Sequence, residues 1–230
     1  MIRKSLRLRN EIIHYKIIYK NKKNLSIKLN GDKEIIVYSP YGVSDEYIEK
    51  IIRKKENWII SNLNKIEKNN FNDESYIIYR GKKFLKKVEE ANIDKIVLNV
   101  DSITIRSKSL ESNYINDLIY KWYIEMANEI ILARTKMLSY KNNLIPSRIL
   151  IKSQKSRWGS CNSKREVRLN WRLILMPEEV MDYIIVHELC HLKHMNHSSY
   201  FWDLVNELQP DFKTSKRWLK ENGLAILRIK

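Results

Sequence analysis

Apolar and polar positions alternate early in the chain. Leu25, Ile27 and Leu29 flank Ser26 and Lys28, Asn30-Gly31 supplies a hairpin turn, and residues 34–38 return. Residues 11–40 therefore read as strands, closed by Pro40-Tyr41-Gly42. The period then changes. Ser44 is placed to cap a helix, with Asp45 and Glu46 in its first turn. Ile48, Ile51, Ile52, Ile59, Leu63 and Ile66 carry it at helical spacing to about Asn69. Residues 68–75 are polar and read as a loop. Short β-prone runs follow at 76–79, 84–88, 96–100 and 103–106.

A change of composition at 107–113 suggests a boundary, giving an N-terminal β-rich region with one long helix (residues 1–109) and a second domain (residues 110–230). The second domain opens on a predicted helix over 113–140 whose stripe includes Ile115, Leu118, Trp122, Met126 and Ile130. Pro146 resets the chain, 148–151 reads as a strand, 156–161 as a turn and 167–173 as a returning strand. Pro177 and Glu178-Glu179 fit the first turn of another helix. Ser198 is placed to cap a helix carrying Phe201, Trp202, Val205 and Leu208, closed by Pro210, and a last helix spans about 213–222. The fold class expected is α+β: a hairpin, helix and β-rich region, then a mainly helical domain with a small antiparallel sheet.

The helix opened by Pro177 carries the candidate chemistry. Four of the five histidines lie between Val186 and His197. His187 and His191 are four apart, so an α-helix stacks both imidazoles on one face within reach of a single ion. With Glu188 beside them this is the H-E-x-x-H zinc signature, in which the glutamate is general base. Val180 and Ile184 share the histidine face, while Ile185, Leu189 and Leu192 cover much of the opposite one. A helix apolar nearly all round is a buried helix, where two imidazoles and a carboxylate without partners would cost several kcal/mol.

A catalytic zinc takes three protein ligands. His194 lies about 10 Å beyond His187 along a continuing helix at 1.5 Å per residue, too far to share the ion. His197 can ligate if the helix ends first and the chain turns back, which Met195-Asn196 permits because asparagine tolerates the left-handed conformation. The spacing matches that of the metzincins, although their glycine at the turn is His194 here. Glu207 on the next helix is the competing third ligand.

Lysine and arginine outnumber aspartate and glutamate by 43 to 27, a formal net charge of +16. That admits a nucleic-acid or nucleotide partner through non-specific attraction, but the cations are spread along the whole chain. No apolar run has the 18 or so residues a membrane span needs, and the charged start is no signal peptide. Two cysteines, Cys161 and Cys190, make no disulfide framework. The expected compartment is the cytoplasm.

Ser156-Arg157-Trp158-Gly159-Ser160-Cys161, Arg168-Leu169-Asn170-Trp171-Arg172-Leu173, Met176-Pro177 and the run from His187 to Trp202 together resemble the YgjP-like metallopeptidase family, zincin-type proteins similar to the WLM and SprT groups. Tyr38-Ser39-Pro40 after the hairpin resembles it too. The resemblance implies a zincin-like catalytic domain with Zn2+ held by His187, His191 and His197, and Glu188 as catalytic base. A peptide or protein is the expected substrate, and strand 167–173 is expected to hold it by edge pairing. Tyr183, Arg157 and Asn170 are candidates to steady the oxyanion, although Arg157 and Asn170, with Trp158 and Trp171, read first as packing that ties down the turn. Two other readings compete: a metal-dependent nucleotide phosphohydrolase (a pyrophosphatase), and a nucleic-acid-associated factor with a basic N-terminal region.

Overall fold

Alternation in the first seventy residues builds a sheet with one apolar face. The computed structural model describes residues 2–9, 11–29, 34–68 and 73–229. Strands β1 (Ile2–Leu8), β2 (Glu11–Tyr19), β3 (Ser26–Leu29) and β4 (Ile35–Ser39) lie in the order β1-β2-β4-β3. β3 and β4 pair antiparallel, as expected of a hairpin, with Leu29 opposite Ile35. The Asn30-Gly31 turn assigned between them lies outside the described residues. Leu6, Leu8, Ile13, Tyr15, Ile17, Ile35 and Val37 are all buried.

Helix α1 (Asp45–Lys54) starts where expected, the Ser44 hydroxyl accepting from the Tyr47 N–H at 3.3 Å. The long helix predicted to Asn69 is broken at Lys55, which leaves helical geometry and donates to the Ile52 carbonyl, and α2 (Glu56–Lys68) follows. α1 buries Ile48 and Ile52, and α2 buries Ile59 and Ile60. Ion pairs of Lys4 with Asp45 and of Arg9, just past β1, with Glu56 tie this end of the sheet to the two helices.

The chain forms two compact units, Met1–Asn70 and Phe71–Lys230. The composition change at 107–113 therefore falls inside the second unit, at the passage from sheet to helix. Core packing is the reason. β5 (Tyr76–Tyr79), β6 (Lys82–Glu90), β7 (Lys95–Leu98) and β8 (Ser102–Ser107) form a mixed sheet ordered β5-β6-β8-β7. Its Ile77, Ile78, Ile103 and Ile105 share one core with Tyr123, Leu169, Trp171 and Leu189. The Tyr123 hydroxyl donates to the Ile78 carbonyl at 2.7 Å inside that core. At the β5–β6 turn Gly81 has φ +77, and a Cβ there would stand 2.7–2.9 Å from atoms of Pro177. The Arg80 and Gly81 N–H groups donate to the Ile174 and Leu175 carbonyls, docking the turn just ahead of the helix that carries the histidines.

The helix predicted over 113–140 is continuous but not uniform. α3 (Ser112–Met126) and α4 (Leu132–Lys141) flank one π-helical turn at Ala127–Ile131. Next come β9 (Arg148–Lys152), β10 (Gly159–Cys161) and β11 (Glu166–Asn170). Their small sheet is mixed rather than purely antiparallel, because β9 runs parallel to β11. β11 lies between β10 and β9, so the strand expected to offer an edge to a peptide has none free. It also stops at Asn170, whose side-chain oxygen accepts from the Arg172 N–H and starts a buried 3-10 turn at Trp171–Leu175. α5 (Glu178–Cys190), α6 (Ser199–Leu208) and α7 (Phe212–Ile226) complete the α+β unit. Among the described residues, no helix is long and apolar enough to cross a membrane.

Candidate metal centre

α5 is buried nearly all round, as its composition requires: Val180, Met181, Ile184, Ile185, Val186, Leu189 and Cys190 all belong to the core. Pro177 precedes its first turn, and Glu178 and Glu179 place negative charge at its positive end. Arg134 of α4 grips Asp182 with two nitrogens, at 2.7 and 2.5 Å, which fixes the helix about its axis.

The helix ends at Cys190, with His191 as its C-cap residue. The Leu192 and His194 N–H groups close the last turn on the Leu189 and Cys190 carbonyls. The chain then reverses without any left-handed residue between Leu192 and Ser198. Asn196 shapes the bend differently from expectation, its side-chain oxygen accepting from the Ser198 N–H at 3.3 Å.

This reversal brings His187, His191 and His197 together. Their ring centroids are 4.8–5.1 Å apart, and one nitrogen from each lies within 4.8 Å of the other two. The Nε2 atoms of His187 and His197 face each other at 3.1 Å. The other ring nitrogen of His191, Nδ1, is 2.9 Å from the His194 carbonyl oxygen, so it donates and leaves Nε2 with the free lone pair. Phe201 backs the group, stacked on His191 at 4.5 Å, and Trp202 stacks on His197 at 5.7 Å.

Burial holds His187 down to about 4, with the charges of His191, His197 and Lys216 acting in the same direction. His191 is also lowered by burial, against the pull of its bond to His194. Both rings are therefore neutral at pH 7, the state in which imidazole binds metal. His187 Nδ1 is a buried atom with no hydrogen-bond partner. That cost is offset if the opposite nitrogen gains a strong ligand bond.

Glu188 lies over Gly159 of β10, where a Cβ would stand 2.6–2.8 Å from its Cγ, Oε1 and Cδ. The side chain is 6% exposed. Burial pushes its carboxyl up to about 8, with the Arg157 charge working the other way. Tyr183 presents its ring edge-on to His187 at 6.0 Å, and burial together with the Glu188 charge pushes its hydroxyl up to about 12.

The remaining candidates fall outside the cluster. Glu207 is exposed on α6 and does not join the three imidazoles. The His194 ring turns outward onto Tyr200, contributing only its carbonyl. Asn170 is fully buried and spends its amide on the Gln154 and Arg157 carbonyls, so it ties down the turn before β10. Burial pushes the Cys190 thiol up to about 12, which leaves it inert. Two contributors were not singled out from sequence: Gly159 as the floor under Glu188, and the Lys213-Lys216-Arg217-Lys220 stripe of α7 beyond Trp202. The spacing of that stripe was visible in the sequence.

The family described as YgjP-like, metallopeptidase domain, matches residues 23–222. No curated protein matches the chain. Among solved structures it is similar to the crystal structure of the metallopeptidase zymogen abylysin of Pyrococcus abyssi, at 23% identity over 40% of this chain and 94% of that one, with a TM-score of 0.36. It is also similar to the metallopeptidase zymogen jannalysin of Methanocaldococcus jannaschii, at 25% identity over 41% of this chain and 97% of that one, with a TM-score of 0.37.

Proposed function

Because the chain belongs to the YgjP-like metallopeptidase family, we propose that it is a zinc peptidase in which His187, His191 and His197 hold the ion and Glu188 is the general base. The observation that carries this reading is the convergence of three imidazole nitrogens within 4.8 Å beside a buried carboxylate. The donor set suits zinc. Three imidazole nitrogens leave one tetrahedral position open, and His191 has the carbonyl partner that commonly orients a ligating ring.

When bound, zinc polarises a carbonyl oxygen and lowers the pKa of water towards 7. The protein supplies the rest. Glu188, shielded from solvent and raised in proton affinity, takes a proton from water and returns it to the leaving amine. The Arg157 charge draws the carboxyl back towards the ionised form that this role requires, and a dication held by the three imidazoles would act in the same direction. Arg157 and Tyr183 are the side chains left to steady developing negative charge, since Asn170 is committed to the turn. β10 takes the role first given to β11. It is an outer strand of its sheet, it carries Gly159 against Glu188, and its free edge can pair with an extended peptide.

The test is cleavage of an unfolded protein such as casein by purified protein, with a chelator and then with added zinc. Cleavage should disappear with the chelator and return with zinc. Phosphate release from nucleotides, with casein left intact, would instead favour the phosphohydrolase reading.

Gly159→Ala probes the carboxylate's seat. The new methyl would occupy space held by the Glu188 side chain, which can swing aside where the backbone cannot. A displacement of about 1 Å is enough to lose roughly a hundredfold in rate. The variant should therefore keep its metal and its fold by circular dichroism while kcat falls by about that factor.

A further inference from the structure

Trp202 also borders an open pocket of about 510 Å³. Trp202 and Phe212 form its wall, and Lys213, Lys216, Arg217 and Lys220 line the rest. On α7 these four cations fall within an arc of roughly 100° at 100° per residue, so they form one stripe. No carboxylate is among the lining residues. A stripe of lysines is most often a solvated face, but three features set this one apart.

The first is that Trp202 is shared: one ring both stacks on His197 at 5.7 Å and walls the basic pocket. The second is that the Lys216 ammonium is held 4.3 Å from the centroid of that ring, an arrangement that fixes a charge in place. The third is proximity. With 4.3 Å from ammonium to Trp202 and 5.8 Å from Trp202 to His187, the path is no longer than about three residues of extended peptide at roughly 3.4 Å each. The Lys216 charge is among those that act on His187.

We infer that the Trp202–Lys216–Arg217 pocket is a specificity subsite that takes an acidic side chain of the substrate, within about three residues of the cleaved bond. The inference rests on the peptidase reading for its consequence, but the subsite binds whether or not cleavage follows. Trp202 supplies the apolar wall for the stem of a glutamate, and the cations meet its carboxylate. Attraction of this kind sets selectivity and on-rate more than raw affinity.

The test uses the full chain carrying Glu188→Gln, so that binding is measured without turnover. Two fluorescein-labelled octapeptides are compared by anisotropy, one with two adjacent glutamates among alanines and one with glutamines in their place. The glutamate peptide should bind more tightly, and Lys216→Glu with Arg217→Glu should remove about tenfold of that preference, the size expected when two partly exposed attractions become repulsions. In the otherwise native protein the same pair should shift kcat/KM away from the glutamate peptide and towards a lysine one. Equal binding of the two peptides, or a preference untouched by the double substitution, overturns the subsite. So does displacement of neither peptide alongside tight binding of inorganic pyrophosphate, which would assign the cations to phosphate. Charge-selective binding without any cleavage would support the subsite and sink the peptidase reading instead.

Discussion

Glu188→Gln is expected to lower kcat for peptide hydrolysis by a factor between about a hundred and ten thousand, the range attached to a positioned proton-transfer group. The substitution keeps the volume that packs on Gly159, so the fold has no reason to change. It also leaves the three imidazoles untouched, since the carboxylate is not among the converging nitrogens. What disappears is the capacity to accept a proton. Burial raises the proton affinity of this side chain, and an amide of the same shape has no such affinity to offer. Metal content and thermal midpoint measured beside kcat separate the cases. A loss of rate with full metal and an unchanged midpoint is the expected result, and a variant that hydrolyses peptides at the native rate would remove Glu188 from the mechanism.

His197→Ala should strip the metal from dialysed protein, whereas His194→Ala should retain it. His197 provides one of three convergent nitrogens, facing His187 Nε2 at 3.1 Å, and alanine leaves that corner open. Loss of a supporting partner alone costs a metal site about 10–100-fold in affinity, and loss of a ligand should exceed that. His194 differs in kind. Its ring stacks outward on Tyr200, and its one contribution to the cluster is a backbone carbonyl that alanine preserves. Atomic absorption on the two variants reads the contrast, and equal depletion in both would refute the ligand assignment.

The site was more legible than the frame around it, for physical reasons. The His187–His191 spacing is local, because a helix converts a separation of four directly into proximity. The turn back to His197 could also be anticipated, although the bend relies on the Asn196 side-chain bond rather than on a left-handed backbone. Non-local features left weaker traces. Ile48, Ile52 and Ile59 keep helical phase across Lys55, so periodicity carries no mark of the break between α1 and α2. Strand β1 was hidden by its arginines, Arg3 and Arg7 occupying exposed positions while Leu6 and Leu8 turn in. The parallel pairing of β9 with β11 joins strands that are not consecutive in the chain, and no pattern within either strand specifies it. The 107–113 composition change was real, but it marks the passage from β8 to α3 within one core rather than a border between units.

The three imidazoles come from one short stretch of chain, 187–197, while the glycine beneath the carboxylate comes from β10 and the cationic wall from α7. An unfolded polypeptide thus already carries the three imidazoles close together in sequence, but not the buried surroundings of the Glu188 carboxyl. On the proposed reading, ion capture and hydrolytic competence would be acquired separately as the molecule folds. A denatured ensemble that competed for the same ion would make the heat resistance gained from saturating metal smaller than its affinity for the native protein alone would give.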